Sequence, residues 1–481
     1  MSILTPPGWN ILDRQPAAYS RLLEGSELLL AQWVIGVPFK APGFDAQELE
    51  ARTRYALGKL RFTYPIIAAP LERGVHHKEL RSWVYTPVSS RADIDRWFAD
   101  AVVVEKVSSA INVNDFILET NRNVKLPHVT KSGTNVHWRC YLQVGNGEYA
   151  LYFHGPHSIM DGWPTLGVLK QTFEWIVGDQ SEQLERLAWG TEYQNLPAGP
   201  LIVTGGIKPE WATPSGQALG AKIQSLYGAP KPPHGLIPQR PIPSEGTASA
   251  IRYILKVDGA LSQQLFAEAK KLGFSASHLF EAAQILALLE TNPLPEGDPE
   301  AHITNEQTFV ALESRLEPQY KTKPHWISAH VWIPLHLTAK ELALTGTRRE
   351  KLVTLLGLIK AQMQEYTDHP CTGQWLALGM LQKPPTEKAV PRNPYATTIT
   401  NLADVQRRLP LTYGQSADGK LLIELLDMQF GHRWTGANPN IHCWTWKSQI
   451  HIQIQAEDNW DQNYIEAYAA SIVDAAKAIL S

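Results

Sequence analysis

The chain has 481 residues, 44% hydrophobic and 19% charged, with 44 basic and 47 acidic residues and a net charge of -3. That balance belongs to an ordinary globular protein and leaves no basic footprint for nucleic acid or an anionic membrane. The length exceeds one hydrophobic core and predicts two domains.

Cys140, Cys371 and Cys443 are far apart. They form neither a metal spacing nor a disulfide framework, and so favour a reducing compartment. Met1–Gly8 lacks the charged and apolar regions of a signal peptide, and no apolar run approaches a membrane span. A cytoplasmic, monomeric protein is expected.

Residues 1–27 read as an irregular entry, and Leu28–Phe39 as a strand rich in β-branched and aromatic residues. Asp45 stands as N-cap to a helix over Ala46–Leu60, with Leu49, Ala56, Leu57 and Leu60 on one face. Leu80–Pro87 is the next strand, Asp93–Val102 a short helical pattern, and residues 114–136 a polar loop. Cys140–Val144 and Tyr149–Phe153 flank Gly145-Asn146-Gly147, which predicts a hairpin with an Asn-Gly turn. An amphipathic helix follows over Trp163–Val177, entered at Pro164, with Leu166, Leu169, Phe173 and Ile176 toward the sheet.

From Pro197 to about Thr247 the chain is rich in Pro and Gly and reads as a crossover, helical only over Gly216–Leu226. The second half repeats the alternation: a strand Ala248–Val257, then helices Leu261–Leu272 and His278–Glu290, capped by Asp258 and Ser275. Strands Phe309–Arg315 and Val331–Leu337, a long helix Glu341–Tyr366, late strands Ala396–Asn401, Lys420–Met428 and Ile441–Gln455, and a helix Asn463–Leu480 complete it. The expected organisation is a first half over 1–197, a crossover over 198–247 and a second half over 248–481.

Between the hairpin and its helix lies His157-Ser-Ile-Met-Asp161-Gly162; no other of the 16 histidines has Asp four residues later. A strand ending at Gly155-Pro156 delivers the next side chains to the rim of a sheet. An unperturbed imidazole titrates near neutral pH, so His157 suits removal of a proton from a hydroxyl or amine. Asp161 would orient the ring or brace the loop through a cation, and Gly162 would leave backbone room for a substrate. His154 forms a His-x-x-His pair with His157, but the intervening Pro156 removes the helical geometry that aims two rings at one ion. No metal is expected, and His154 is assigned to the pocket or the core.

The hairpin followed by His-x-x-x-Asp-Gly resembles the acyltransferase superfamily of chloramphenicol acetyltransferases, plant BAHD acyltransferases and nonribosomal-peptide condensation domains. Leu187-Ala-Trp-Gly-Thr-Glu-Tyr-Gln-Asn-Leu-Pro197 is similar to a segment of its fungal trichothecene 15-O-acetyltransferase-like members. The resemblance implies an α/β fold of two chloramphenicol-acetyltransferase-like halves, each a mixed sheet flanked by helices, with a tunnel between them. It implies that His157 is the general base in a ternary complex of acyl-CoA and an alcohol, with no acyl-enzyme and no bound cofactor. Acetyl-CoA is the expected co-substrate, and the expected acceptor is a secondary metabolite such as a terpenoid or alkaloid.

Asp161 would then be structural, paired with Arg315 from the second half. Trp163 and Asn401 are further candidates for the pocket. Two departures stand out. Pro156 occupies a position where condensation domains often have a first His, and Asp427-Met-Gln-Phe-Gly-His-Arg-Trp434 does not match the Asp-Phe-Gly-Trp-Gly element of BAHD enzymes. The alternatives are a condensation-type ester- or amide-forming enzyme fed by a carrier protein, and a fold relative that binds a ligand or cyclises one without an acyl donor.

Overall fold

A computed structural model describes residues 5–28, 30–131, 133–227, 231–241, 249–321, 325–328, 330–379, 398–433 and 438–481. Two large mixed sheets carry the architecture. The first has seven strands, in the order Thr412–Gln415, Leu421–Leu425, Gln32–Lys40, Tyr149–Pro156, Arg139–Val144 and Val102–Lys106, with Gln429–His432 also on Gln32–Lys40. Its hairpin is the expected one: Tyr149 faces Val144, and Gly147 takes φ 82°, a left-handed conformation that favours glycine. The helices Ala46–Thr63 and Gly162–Val177 cover one face, burying Leu49, Leu57, Leu60, Leu166, Leu169, Phe173 and Ile176 in a common core. Asp45 caps the first of these helices, accepting from the Glu48 N–H at 2.8 Å.

The second sheet has six strands, in the order Ala250–Lys256, Gln449–Glu457, Asn440–Trp446, Thr398–Asp404, His302–Ala311 and His330–Thr338. Thr398–Asp404 runs parallel to both neighbours, which makes this sheet mixed too. Helices Ala276–Thr291, Arg348–Asp368 and Gln462–Lys477 bury their apolar stripes in its core. Among the described residues no single helix is long and apolar enough to cross a membrane.

The entry segment is more ordered than its sequence suggests. Asn10–Leu12 and Ala18–Leu22 join Arg81–Tyr85 and Leu71–Arg73 in a four-stranded sheet. It is anchored by a buried Arg21–Glu27 pair, 2.6 and 2.7 Å, and the Trp83 indole donates to the same carboxylate. The supposed loop over 114–136 holds a helix, Val113–Asn123, capped by Asn112 and burying Val113 and Ile117; its polar remainder hides the period. The single strand expected over Ile441–Gln455 is a hairpin that turns at Lys447 and Ser448, with φ 48° and 62°. Neither is a usual residue for a turn with two left-handed positions. The strand expected to reach Arg315 ends at Ala311, and Arg315 lies in a 3₁₀ turn, Glu313–Arg315. Ala396 and Thr397, which open the late strand expected over Ala396–Asn401, lie outside the described residues, as do Ala248 and Trp434.

The halves also interlock more than a division at 198–247 implies. Residues 412–432 of the second half supply three strands of the first sheet. Trp326 is fully buried in the first core beside Tyr64, Trp138 and Phe153, and its indole donates to Thr165 Oγ1 at 3.2 Å. That anchor sits four residues before His330 and fixes where the strand His330–Thr338 begins.

Candidate active site

The strand Tyr149–Pro156 ends at Pro156, which faces Gln32, and the chain turns at once. The His157 N–H donates to the Ala31 carbonyl at 2.8 Å, and the Ile159 and Met160 N–H groups donate to the Pro156 carbonyl, each at 3.0 Å. The helix starts only at Gly162, with Asp161 as its N-cap accepting from the Gly162 N–H at 2.7 Å. His157 and Asp161 are therefore joined by a tight turn, not by a helical repeat. This turn projects the half-buried His157 ring into a cavity of about 440 Å³ between the halves. Ala31, Trp33, Trp163 and Gln171 line it from the first half, and Phe309, His330, Asn401, Phe430, His432 and His442 from the second.

The His157 ring is held by aromatic neighbours. It stacks on Trp33 at 5.7 Å and on His432 at 5.2 Å, and meets His330 edge-on at 5.4 Å. Burial, followed by the nearby His330, lowers its pKa to about 4, against a smaller opposing effect of Asp161. The ring is thus neutral at physiological pH and carries a lone pair ready to take a proton. His432 and His442 are held further along the same wall. Burial lowers His432 well below its ordinary value and His442 to about 3.

The other residues singled out from sequence fall in different places. Trp163 lines the cavity with the Arg408 guanidinium 5.2 Å from its ring. Asn401 lines it too, donating to Ser277 Oγ at 3.3 Å and accepting from the Ala403 N–H at 2.8 Å. His154 does not belong to it. Strand alternation turns this ring to the opposite face of the sheet, fully buried, 6.4 Å from Tyr141 and 3.2 Å from the Gln32 amide; burial lowers its pKa to about 3. It is a core residue.

Arg315 is not the partner seen at Asp161. Its guanidinium donates to the Thr367 carbonyl, while Asp161 Oδ2 lies 3.2 Å from His330 Nδ1. The 3₁₀ turn after Ala311 carries Arg315 away, and the neighbouring strand brings His330 instead. Gly162 lines the cavity, and a Cβ there would overlap the Leu402 side chain, so the glycine also lets the helix start against a strand of the second half.

His330, His432 and His442 were not legible in the sequence, for none stands in a spacing that marks a site. The one hint lay in the stretch Asp427–Trp434, which contains both Phe430 and His432. His157, Asp161 and His330 bring one possible ligand atom each within 4.8 Å of one another. An ion would need them to close in, since ligands around a tetrahedral zinc lie about 3.4 Å apart, as Zn–N bonds of about 2.1 Å require.

No protein-family model matches the sequence, and no curated protein matches it. Solved structures do. The TRI3 trichothecene 15-O-acetyltransferase from Fusarium sporotrichioides superposes with a TM-score of 0.78 over 100% of both chains, at 15% identity. The chain shares the two-lobed fold of that structure.

Two condensation domains share this fold. The first condensation domain of the calcium-dependent antibiotic synthetase gives a TM-score of 0.61 at 11% identity, over 95% of this chain and 92% of the other. The condensation domain of the monacolin K polyketide synthase MokA gives 0.59 at 12%, over 97% of both. At such identities the fold is common property, while the roles of cavity residues rest on their own geometry.

Proposed function

We propose that the protein is an acyl-CoA-dependent O-acyltransferase that moves an acetyl group to a hydroxyl of a secondary metabolite such as a terpenoid or alkaloid. The observation that carries this reading is one neutral imidazole, His157, at the wall of a cavity lined by both halves. A volume of about 440 Å³ is in the range of small-molecule sites. His157 would take the proton of the hydroxyl as its oxygen attacks the thioester carbonyl. The C–O bond forms, the tetrahedral intermediate collapses with loss of the C–S bond, and the imidazolium returns its proton to the leaving thiolate.

Holding both substrates in one cavity makes the attack effectively unimolecular. No acyl-enzyme is needed. That accords with the buried state of the three cysteines, all of which have thiol pKa values raised by burial. Lys170, Lys321 and Arg407 along the cavity offer cations to the phosphates of a coenzyme A donor. A second reading, a donor held on a carrier protein, is favoured by the condensation domains among the structural neighbours.

The test is incubation of the purified protein with radiolabelled acetyl-CoA and a panel of hydroxylated metabolites. Label transfer that saturates with free acetyl-CoA and is lost in His157→Ala supports the first reading. Transfer only from a loaded carrier supports the second, and full activity of His157→Ala removes both.

A further inference from the structure

Beside His157 the cavity wall carries two more rings, His432 and His442, stacked at 5.0 Å with 20° between their planes. Their hydrogen bonds define opposite tautomers. The Gln455 amide is oriented by the backbone of His432. Its Oε1 accepts from the His432 N–H at 3.0 Å, and its Nε2 donates to the His432 carbonyl at 3.3 Å. The same Oε1 lies 3.3 Å from His432 Nδ1. An amide oxygen only accepts, so Nδ1 carries the hydrogen and Nε2 of His432 is a bare acceptor.

The Gln453 amide is oriented the other way round. Its Oε1 accepts from Arg252 Nε at 2.8 Å, which leaves its Nε2 to face His442 Nδ1 at 3.4 Å and Gln455 Oε1 at 3.3 Å. An amide N–H only donates, so Nδ1 of His442 accepts and its Nε2 carries the hydrogen. Arg252, buried and bonded here to side-chain amide oxygens including those of Asn114 and Gln429, sets the direction of the chain.

We propose that His432 and His442 form an acceptor–donor pair with fixed tautomers that holds a second hydroxyl of the acyl acceptor, so that the preferred acceptor is a vicinal or 1,3-diol. This rests on the reading of His157 as the base for the first hydroxyl. A hydroxyl is the group that both donates and accepts at one atom, which matches one bare and one protonated Nε2 on the same cavity wall. An oxyanion is a poor occupant, because it would meet the His432 lone pair. The 5.2 Å separation of the His157 and His432 rings places the two hydroxyls on neighbouring or next-neighbouring carbons.

The experiment uses the full chain labelled with ¹⁵N-histidine, with His432→Phe and His442→Phe assigning the two rings and thermal melts showing that both variants fold. Should either fail to fold, His432→Gln and His442→Gln replace them. Long-range ¹H–¹⁵N spectra are expected to show His432 protonated at Nδ1 and His442 at Nε2. Addition of cis-1,2-cyclohexanediol should shift both Nε2 resonances, while cyclohexanol leaves them in place. Identical tautomers, or the same response to the two alcohols, overturn the proposal.

With radiolabelled acetyl-CoA, the wild type should prefer the diol by about tenfold or more in kcat/KM, the size of one well-made hydrogen bond. The preference should collapse in His432→Phe. Equal acetylation of both alcohols by the wild type sinks the pair but leaves the base reading intact. Opposite tautomers and diol-specific shifts without any label transfer keep the pair and sink acyl transfer.

Discussion

Asp161 and His330 face one another across the seam between the halves, with Oδ2 3.2 Å from Nδ1. The Asp161 carboxylate thereby links the start of the helix Gly162–Val177 to the strand His330–Thr338, whose first ring meets His157 edge-on. A double-mutant cycle of Asp161→Asn with His330→Ala, read by urea unfolding, should give a coupling energy of about 0.5–3 kcal/mol. The cycle of Asp161→Asn with Arg315→Ala should be additive, because Arg315 donates to Thr367.

With His157 as the proposed base, its environment sets the expected pH profile of turnover. An ordinary histidine is half-protonated near 6.5, whereas burial lowers this one to about 4. A lowered pKa favours the neutral ring, so the base form persists as pH falls below 6.5. The expected kcat/KM profile is flat down through pH 6.5 and loses its His157 limb only toward pH 4. A half-maximal point near 6.5 would show that the ring titrates like an exposed one.

Glu281 gives a separate pH dependence, of stability. Burial raises its carboxyl to about 8, against the opposing hydrogen bonds from Thr308 and Asn305. Between pH 4.5 and about 8 the folded state holds a proton that the unfolded state has released, so unfolding is favoured progressively as pH rises through that window. Glu281→Gln removes the penalty. Its melting temperature should exceed that of the wild type at pH 8, by an amount on the order of a few kcal/mol in stability, and the gain should vanish at about pH 4.5.

Gly162→Ala forces a methyl against Cδ2 of Leu402. Overpacking at such a contact costs about 1–3 kcal/mol. Leu402 also lines the cavity, so its displacement should raise KM for the acceptor. Adding Leu402→Ala should restore part of that loss, as measured by steady-state kinetics beside thermal melts.

Elements with local signals were readable from the sequence. Asn146-Gly147 marked its hairpin, and Asp45, Asp258 and Ser275 all cap the helices expected of them. What local signals lack, the sequence hid. The turn at Lys447-Ser448 contains no residue that favours positive φ, so two strands read as one. The site divides the same way: His157 and Asp161 are four apart and were found together, whereas His330, His432 and His442 reach the cavity on strands whose neighbours are set by topology alone. Arg315 was misplaced because one 3₁₀ turn redirects it. His154, open between pocket and core from sequence, falls in the core because the two faces of one strand alternate.

Residues 412–432 leave the second half to finish the first half's sheet, pairing with Gln32–Lys40 on the flank away from Tyr149–Pro156. A gene severed near codon 248 would therefore encode one product with a raw edge and another with three orphan strands. Swapping one lobe for a cousin's would need that strap to match a foreign host, so the cavity in this architecture is more readily reshaped by point changes along its wall than by trading modules.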